Sequence, residues 1–291
     1  MEIDYDTLFY HVDNFCMAFE PWYQHQLLAL GQPKRKRETR LSLSEVMTIL
    51  IAYHQSGFTC FKYFYLHLLR YHAHLFRGLV HYDRFISLIK RAFPALVCFM
   101  KSLEGEPTEY EFIDSTSITV CHIRREKSHK VFKGLAAKGC TSTGWFFGFN
   151  LHLILNTDGE IVRLIITPGN TSDLEPVLQL TEGLLGKLIG DKGYLSKSLF
   201  DQLFQRGLTL ITKIRKNMKN RLMEIQDKRM LQKRGFIETV IGSIKALNTF
   251  VHHRHRSPIN AFCHLFAALI NYQIRDDKPK LSTEKIGRAH V

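Results

Sequence analysis

The sequence predicts an α/β protein in which a mixed sheet is flanked by helices and preceded by an all-α N-terminal region. Residues 1–107 show helical periodicity of apolar side chains without strand signals. From residue 108 onward, apolar runs of strand length alternate with amphipathic stretches in the order β-β-β-α-β-α-β-α-α. This alternation is typical of a sheet with helices on its faces. Asp158 and Gly159 also separate two apolar runs, which is a strong hairpin signal.

The N-terminal region, residues 1–107, is expected to form helices beside a basic linker, PKRKRETR. Ser42 and Glu45 have the spacing of a capping box, which predicts an apolar helix that begins here and ends near Gly57. Two further helices are expected, at 60–77 and 82–103. Short helices beside a basic arm suit a helix-turn-helix DNA reader, and they suit a plain helical bundle equally well.

Residues 108–275 are expected to form the sheet-containing domain. Its first strand is predicted at 109–121, and the two hairpin strands lie within 146–169. The further predicted elements are a helix at 172–185 that opens with a capping box of Ser172 and Glu175, a strand at 187–191, a helix at 195–207, a strand at 208–213, and helices at 236–250 and about 258–274. Residues 276–291 are an expected disordered tail, and its last six residues, IGRAHV, match the translation of a common sequencing adapter, which makes them a candidate artefact.

Charge and composition limit the classes of function. The 291 residues include 40 Lys+Arg against 27 Asp+Glu, a formal net charge of +13, which favours polyanions, nucleic acid first and an acidic membrane second. No apolar run reaches the ~18 residues of a membrane span, and the N-terminus lacks the features of a secretory signal. The six cysteines are scattered without a C-x-x-C pair, which indicates reduced thiols rather than disulfides or a zinc site. We therefore expect a cytoplasmic protein that binds a polyanion.

Three acidic residues stand where a metal site would need them. Asp114 lies in an apolar strand, Asp191 ends the strand KLIGD, and Glu238 is in the first turn of the helix after the last strand. A carboxylate among apolar neighbours is costly unless a cation or hydrogen bonds compensate it, and ligands of open α/β sheets bind beyond the strand ends. Taken singly, each acid could instead cap a turn, pair with a basic residue or lie on an exposed helix. Together they favour a site for two Mg²⁺ or Mn²⁺ ions, because these ions prefer carboxylate oxygens.

Basic residues near these acids are candidates for phosphate contacts. Arg234, Glu238 and Lys245 lie four and seven residues apart, on one face of the predicted helix. Surface ion pairs are the alternative explanation of this pattern, and the functional interpretation, an acid that holds metal between cations that hold phosphates, is favoured. The further candidates for DNA contacts are Lys133, Lys192, Lys213, Arg215 and Lys216. Solvated loops are the alternative for the basic stretches that contain several of them.

Two other features of the sequence allow more than one interpretation. Asp173 is a rival acid, but its place in the first turn of a predicted helix favours capping. Trp145 and Phe146 could stack on bases, although packing in the core is the favoured interpretation for both.

The sequence resembles the DDE insertion-sequence transposases, whose RNase H-like catalytic domain binds paired metal ions with two Asp and one Glu. The matching pieces are IDSTSI around Asp114, GWFFGFNLHL at 144–153, TPGNTSD at 167–173, GDKGY around Asp191, and R-x3-E-x6-K at 234–245. Leu231 stands where the family signature has a tyrosine, so the role of that tyrosine is not transferred.

The resemblance implies metal binding by Asp114, Asp191 and Glu238, and DNA contacts by Arg234 and Lys245. It implies hydrolysis at transposon ends to free 3′-hydroxyls, followed by their attack on target DNA. The expected protein is bacterial and cytoplasmic, is associated with the nucleoid when active, and acts on terminal repeats and target DNA as a homodimer or higher oligomer. Two alternatives stay open: an RNase H-like nuclease or resolvase that cuts without joining, and a non-catalytic DNA-binding relic.

Overall fold

The structure, a computed structural model, describes residues 3–31, 39–142, 144–213, 223–247 and 255–281. In chain order its elements are α1 (Tyr5–Ala29), α2 (Leu43–Gln55), α3 (Phe61–Tyr71), α4 (Tyr82–Ile89), α5 (Phe93–Ser102), β1 (Tyr110–Cys121), β2 (Ala137–Thr141), β3 (Gly144–Leu155), β4 (Ile161–Pro168), α6 (Val177–Leu180), β5 (Gly186–Gly190), α7 (Lys197–Gln205), β6 (Leu208–Thr212), α8 (Ile225–Gln232), α9 (Gly235–Ala246) and α10 (Pro258–Ile274). They form two compact units, a helical unit that comprises 1–103, 129–133 and 244–274, and a sheet-containing unit that comprises 104–128, 134–243 and 275–291. Most of the expected tail, residues 282–291, lies outside the described residues.

In the helical unit, α2 begins with the expected capping box. The Ser42 hydroxyl accepts a hydrogen bond from the Glu45 backbone N–H at 3.0 Å, and the Glu45 carboxylate accepts one from the Ser42 backbone N–H at 2.7 Å. These bonds satisfy two donors that a helix end otherwise leaves free. None of the helices in the described ranges combines the length and apolar character required to cross a bilayer.

Helix α10 belongs to the helical unit, which differs from the predicted division at residues 108–275. In α10, 13 of 17 residues are buried, and the helix packs against α2 and α5. A helix that is apolar around most of its circumference is stable only when neighbours surround it. The sequence showed this apolar character but not which helices would cover it.

The sheet is mixed, as predicted, with the strand order β2-β3-β1-β5-β6, and β4 also pairs with β3. Strand β1 is antiparallel to β3 and parallel to β5, and β5 is parallel to β6. The predicted hairpin joins β3 to β4. At its turn Gly159 has a φ of 76°, a left-handed conformation that favours glycine, and the Asn156 side-chain carbonyl accepts bonds from the backbone N–H groups of Asp158 and Glu160.

The structure differs from the predicted elements at a helix, at its cap and at two elements that the sequence did not predict. The helix expected at 172–185 is reduced to α6, because Pro176 lies inside the predicted span and cannot donate a backbone N–H there, and because Gly183 has a φ of 75° shortly after the end of α6. Its expected capping box is absent: the Glu175 backbone N–H donates to the Ser172 carbonyl in a turn. Strand β2 and helix α8 were not predicted, since AKGCT lacks apolar alternation and α8 is short and largely polar.

The two sides of β1 face different layers of the sheet-containing unit. Ile113 lies in a buried cluster with Val177 and Leu180 of α6 and with Leu203 of α7. The ring of Phe112 points to the opposite side, where it meets the ring of Phe236 edge-on at a centroid distance of 5.6 Å. Because side chains alternate along a strand, Asp114 lies on the same side as Phe112, toward the start of α9.

A polar network ties α8 to the beginnings of β1 and β5. The Lys187 ammonium donates to the Asp227 carboxylate at 2.7 Å, to the Glu224 carboxylate at 3.0 Å and to the Tyr110 hydroxyl at 3.3 Å. The Tyr110 hydroxyl in turn donates to Asp227 at 2.8 Å. Asp227 is nearly buried, with 12% of its side chain exposed, whereas 74% of the Glu224 side chain is exposed.

Replacing Asp227 with Asn should lower the free energy of unfolding by about 2 kcal/mol, because Lys187 then loses its closest charged partner in a partly buried position. Glu224→Gln is the matched control, since it removes an exposed partner of the same ammonium and should cost less than about 0.5 kcal/mol. Urea unfolding compares the two variants. Equal losses would show that burial does not determine the strength of this network.

Glu111 is a fully buried carboxylate in β1. One of its oxygens accepts hydrogen bonds from the backbone N–H and the hydroxyl of Thr108, and the other has no hydrogen-bond partner among the described residues. Burial raises the pKa of Glu111 from 4.5 to about 7, against smaller opposing effects of Thr108 and Arg163. The folded protein therefore holds this proton more tightly than the unfolded chain does.

The contribution of Glu111 to the free energy of unfolding should consequently be largest below about pH 4.5, and it should be lost as the pH rises through about 7. Glu111→Gln, which cannot ionise, should remove up to about 3 kcal/mol of this loss between pH 5 and pH 8. Urea unfolding at several pH values tests the expectation. Glu109→Gln is the control, because Glu109 is exposed and directly precedes β1. An unchanged pH dependence in Glu111→Gln would contradict it.

Candidate active site

The pairing of β1 with β5 brings two of the predicted acids to one level of the sheet. Phe112 lies opposite Ile189 in the parallel register, so Asp114 and Asp191, each two residues further along, are neighbours at the carboxyl end of β5. Asp191 is the first residue after that strand, and it caps a short 3₁₀ turn at Lys192–Tyr194. This is the sheet edge at which ligands of open α/β sheets bind.

The backbone fixes both aspartates in the same way. One Asp114 oxygen accepts a hydrogen bond from the Ser115 backbone N–H at 2.8 Å, and one Asp191 oxygen accepts a bond from the Gly193 backbone N–H at 2.9 Å. The second oxygen of each carboxylate remains available for another partner. The two side chains are thus oriented before any ligand binds.

The third acid approaches from α9. Arg234 lies in the turn between α8 and α9, and Glu238 follows one helical turn later. The Arg234 Nη2 atom lies 3.3 Å from Asp114 Oδ2, 3.7 Å from Asp191 Oδ2 and 3.3 Å from Glu238 Oε1. The structure therefore brings the three acids of the sequence-based hypothesis together around one cationic group.

Burial differs among these carboxylates. Asp114 is the most enclosed, with 20% of its side chain exposed, compared with 45% for Asp191 and 64% for Glu238. Burial raises the pKa of Asp114, and its hydrogen bond from Ser115 and the nearby Arg234 oppose this effect only in part. The carboxylate that seemed out of place in an apolar strand thus has a backbone hydrogen bond and a cation as compensating partners.

The three carboxylates are suitable ligands for a divalent ion, but their present spacing is not suitable for binding one. Three carboxylates directed at one position are the ligands that Mg²⁺ or Mn²⁺ prefers. As the side chains stand, no group of three His, Cys, Asp or Glu residues in the described ranges is close enough to hold an ion, since Arg234 lies between the acids. Oxygen ligands of Mg²⁺ lie at about 2.1 Å. The types of residue present therefore suit a divalent ion, whereas the position that they share is occupied by the guanidinium of Arg234.

Residues 104–258 match the family model of the transposase DDE domain. The chain belongs to this family. Membership implies phosphoryl transfer on DNA, and enzymes of the family typically use a divalent metal ion. This match confirms the resemblance to DDE transposases that the sequence motifs indicated. No curated protein matches the sequence.

The fold of this transposase is similar to that of a piggyBac transposase in a synaptic complex with hairpin DNA. The TM-score is 0.53 at 10% sequence identity, over 92% of this chain and 71% of the other. At this identity the likeness concerns the fold alone. It confirms the predicted fold class, an RNase H-like mixed sheet flanked by helices and preceded by an all-α region.

The other predicted DNA-contacting residues are dispersed. Lys192 is exposed next to Asp191, and Lys213 is exposed directly after β6. Lys133 and Lys245 are exposed in segments that belong to the helical unit, Lys245 in the last turn of α9. Arg215 and Lys216 lie outside the described residues. Arg234 differs from the rest because its guanidinium contacts the three acids.

The predicted capping role of Asp173 is wrong. Helix α6 begins only at Val177, after a turn. The Asp173 carboxylate instead lies 3.8 Å from Nδ1 of His152, a residue of β3 that is 1% exposed and whose Nε2 lies 2.8 Å from the Thr167 hydroxyl. Burial lowers the pKa of His152, and Asp173 opposes this effect. Sequence reasoning assigned no role to His152, because a single histidine in a strand carries no distinctive signal.

Trp145 was also misjudged. Its side chain is 61% exposed, and the Lys138 ammonium lies 4.6 Å from the centre of its ring. Phe146, on the other face of the same strand, is buried as expected. The Lys138–Trp145 pair is therefore a cation–π contact at a strand end that remains accessible to solvent.

Tyr194, the last residue of the GDKGY motif, packs in the buried cluster around Ile113, next to the site. It is 2% exposed, and its hydroxyl has no hydrogen-bond partner in the part of the chain that the structure describes. Burial raises the pKa of Tyr194, and the carboxylates of Asp114, Asp173 and Asp191 raise it further. The phenol therefore remains neutral beside the acids.

Tyr194→Phe should leave the free energy of unfolding unchanged or raise it by up to about 1 kcal/mol, because the lost hydroxyl is buried without a partner. Tyr110→Phe is the matched control: its hydroxyl donates to Asp227, so its removal should cost about 1 kcal/mol. Urea unfolding without divalent ions measures both. A loss in Tyr194→Phe as large as that in the control would indicate a hydrogen bond to the Tyr194 hydroxyl.

Proposed function

We propose that this transposase cleaves DNA at the ends of a bacterial insertion sequence, in a reaction that depends on Mg²⁺ or Mn²⁺, and joins the freed 3′-hydroxyls to target DNA. The observation that carries the proposal is the convergence of Asp114, Asp191 and Glu238 on one cationic position at the carboxyl end of β5. Family membership supports the class of chemistry, and the clustering of the three acids supports its assignment to this end of the sheet.

In the proposed reaction Asp114, Asp191 and Glu238 hold two ions. When bound, such ions activate the attacking oxygen and stabilise the leaving oxygen of a phosphodiester. Ser115 and Gly193 hold one oxygen of each aspartate, which keeps the other oxygen directed at the shared position. The more exposed Glu238 completes the set from the helix. The chain's own contribution is orientation, and no Ser or Tyr nucleophile is required.

Basic residues would position the DNA. Exposed lysines such as Lys192 and Lys213 lie next to strand ends of the same sheet, and the formal net charge of +13 favours a long phosphate contact surface. We propose DNA contacts for Lys133, Lys245, Arg215 and Lys216 as well. Such contacts read charge rather than sequence, so DNA binding should weaken steeply with salt.

The proposed partners are the terminal repeats, the target DNA and a second copy of the chain. Two transposon ends must be held together during joining, which requires at least a dimer. The piggyBac relative was solved in a synaptic complex with hairpin DNA, and this supports a paired-end arrangement for the present protein. We place its action in the bacterial cytoplasm, at the nucleoid.

The first test is cleavage of end-labelled duplex DNA that carries the element's own terminal repeat, in the presence of Mg²⁺. The wild-type protein should release a 3′-hydroxyl end at the repeat and transfer it to a target plasmid. Asp191→Asn should lower the cleavage rate at least about 100-fold, because the variant lacks a charged ligand of the metal ions.

Asp201→Asn is the control, since it removes an exposed aspartate from α7, outside the cluster. Its cleavage rate should equal that of the wild type. Cleavage without transfer to the target would identify a nuclease or resolvase. DNA binding without cleavage by any variant would identify a non-catalytic DNA-binding protein and refute the proposal.

A further inference from the structure

The contacts of Arg234 differ from those of a structural ion pair. A single nitrogen, Nη2, lies near all three carboxylates at 3.3–3.7 Å, whereas close arginine–carboxylate pairs are bidentate and about 2.7–2.9 Å long. In the same unit, Lys187 and Asp227 are 2.7 Å apart. The Arg234 Nε is buried and has no hydrogen-bond partner within the described ranges. The guanidinium is therefore held mainly by the summed negative charge of the acids.

This charge is only partly compensated. Three carboxylates share one guanidinium nitrogen, Nη2, and none of them lies closer to it than 3.3 Å. Glu238 is largely exposed and Asp191 is about half exposed, so both can change position without disturbing the core. A stronger cation can therefore replace the guanidinium at little structural cost.

We propose that Arg234 is a displaceable stand-in for the metal ions. In the metal-free protein its guanidinium keeps the three acids together and competes with entering ions. When metal and DNA bind, the guanidinium leaves the acids and pairs with a phosphate oxygen of the DNA. This inference rests on the proposed function and adds a regulatory step to the same site.

Metal binding and DNA binding become coupled as a consequence. Without DNA, an ion must expel Arg234 from its anionic partners. With DNA, a phosphate provides the guanidinium with another partner, so the ion meets less competition. Linkage requires that metal in turn favours DNA binding by the same factor. Free protein would thus hold its ions weakly, and the complete site would form on DNA.

The test is a titration of the DNA-free protein with Mn²⁺, in which isothermal titration calorimetry measures the affinity. Arg234→Gln should bind Mn²⁺ at least about tenfold more tightly than the wild type, because a positive charge within a few ångströms of the ion has been removed. Arg234→Lys, which retains the charge, should bind much as the wild type does. Lys228→Gln, with the same change in net charge on an exposed position of α8, should stay within about twofold of the wild type.

The same variants are then titrated in the presence of a terminal-repeat duplex. DNA should increase the Mn²⁺ affinity of the wild type more than that of Arg234→Gln, because only the wild type has a competing guanidinium to release. Melting temperatures in EDTA and in Mn²⁺ show whether each variant is folded. The melting temperature of Arg234→Gln should rise more on addition of Mn²⁺ than that of the wild type.

Three outcomes would overturn the inference. Unchanged or weaker Mn²⁺ binding by Arg234→Gln would exclude competition by the guanidinium. An equal gain in Lys228→Gln would assign the effect to net charge. In both cases the proposed function stands if Asp114→Asn abolishes Mn²⁺ binding. Absence of Mn²⁺ binding by every variant, with and without DNA, would refute both the inference and the metal-dependent function.

Discussion

Strands β1 and β5 run side by side in the same direction, and the acids of the candidate active site depend on this pairing. Phe112 and Ile113 in β1, and Leu188 and Ile189 in β5, are at most 1% exposed. A shift of the register by one residue would turn each of these side chains to the opposite face of the sheet. Apolar packing therefore fixes the register that makes Asp114 and Asp191 neighbours, although none of the apolar residues belongs to the site.

The same packing extends to the third acid. The contact between Phe112 and Phe236 positions the start of α9, and the network of Lys187 and Asp227 fixes α8 just before it. β5 is only five residues long, yet it carries this network near its beginning and Asp191 directly after its end. The strand thus connects the support of the helix pair, near its beginning, with the candidate active site at its carboxyl end.

The sequence predicted most elements of the fold because their periodicity and turn chemistry are local. It also predicted that the three acids would meet, because each stands in a context that one edge of the sheet could share. It missed features that depend on distant partners: the pairing of β2, the neighbours of α10, and the contact of Asp173 with His152. The position of Arg234 between the acids was missed for a related reason, since helical spacing revealed its face but not the strands opposite.

One border of the sheet is divided between two strands. Along the outer side of β3, β2 pairs with Gly144–Gly148 and β4 pairs with Phe149–Leu155, and at the other border β6 has only five residues. Long, unbroken border strands act as templates on which foreign chains polymerise. Among the described strands this protein presents only short segments of that kind. The subdivision of its margins therefore shortens the unbroken edge that this apolar sheet offers to other chains.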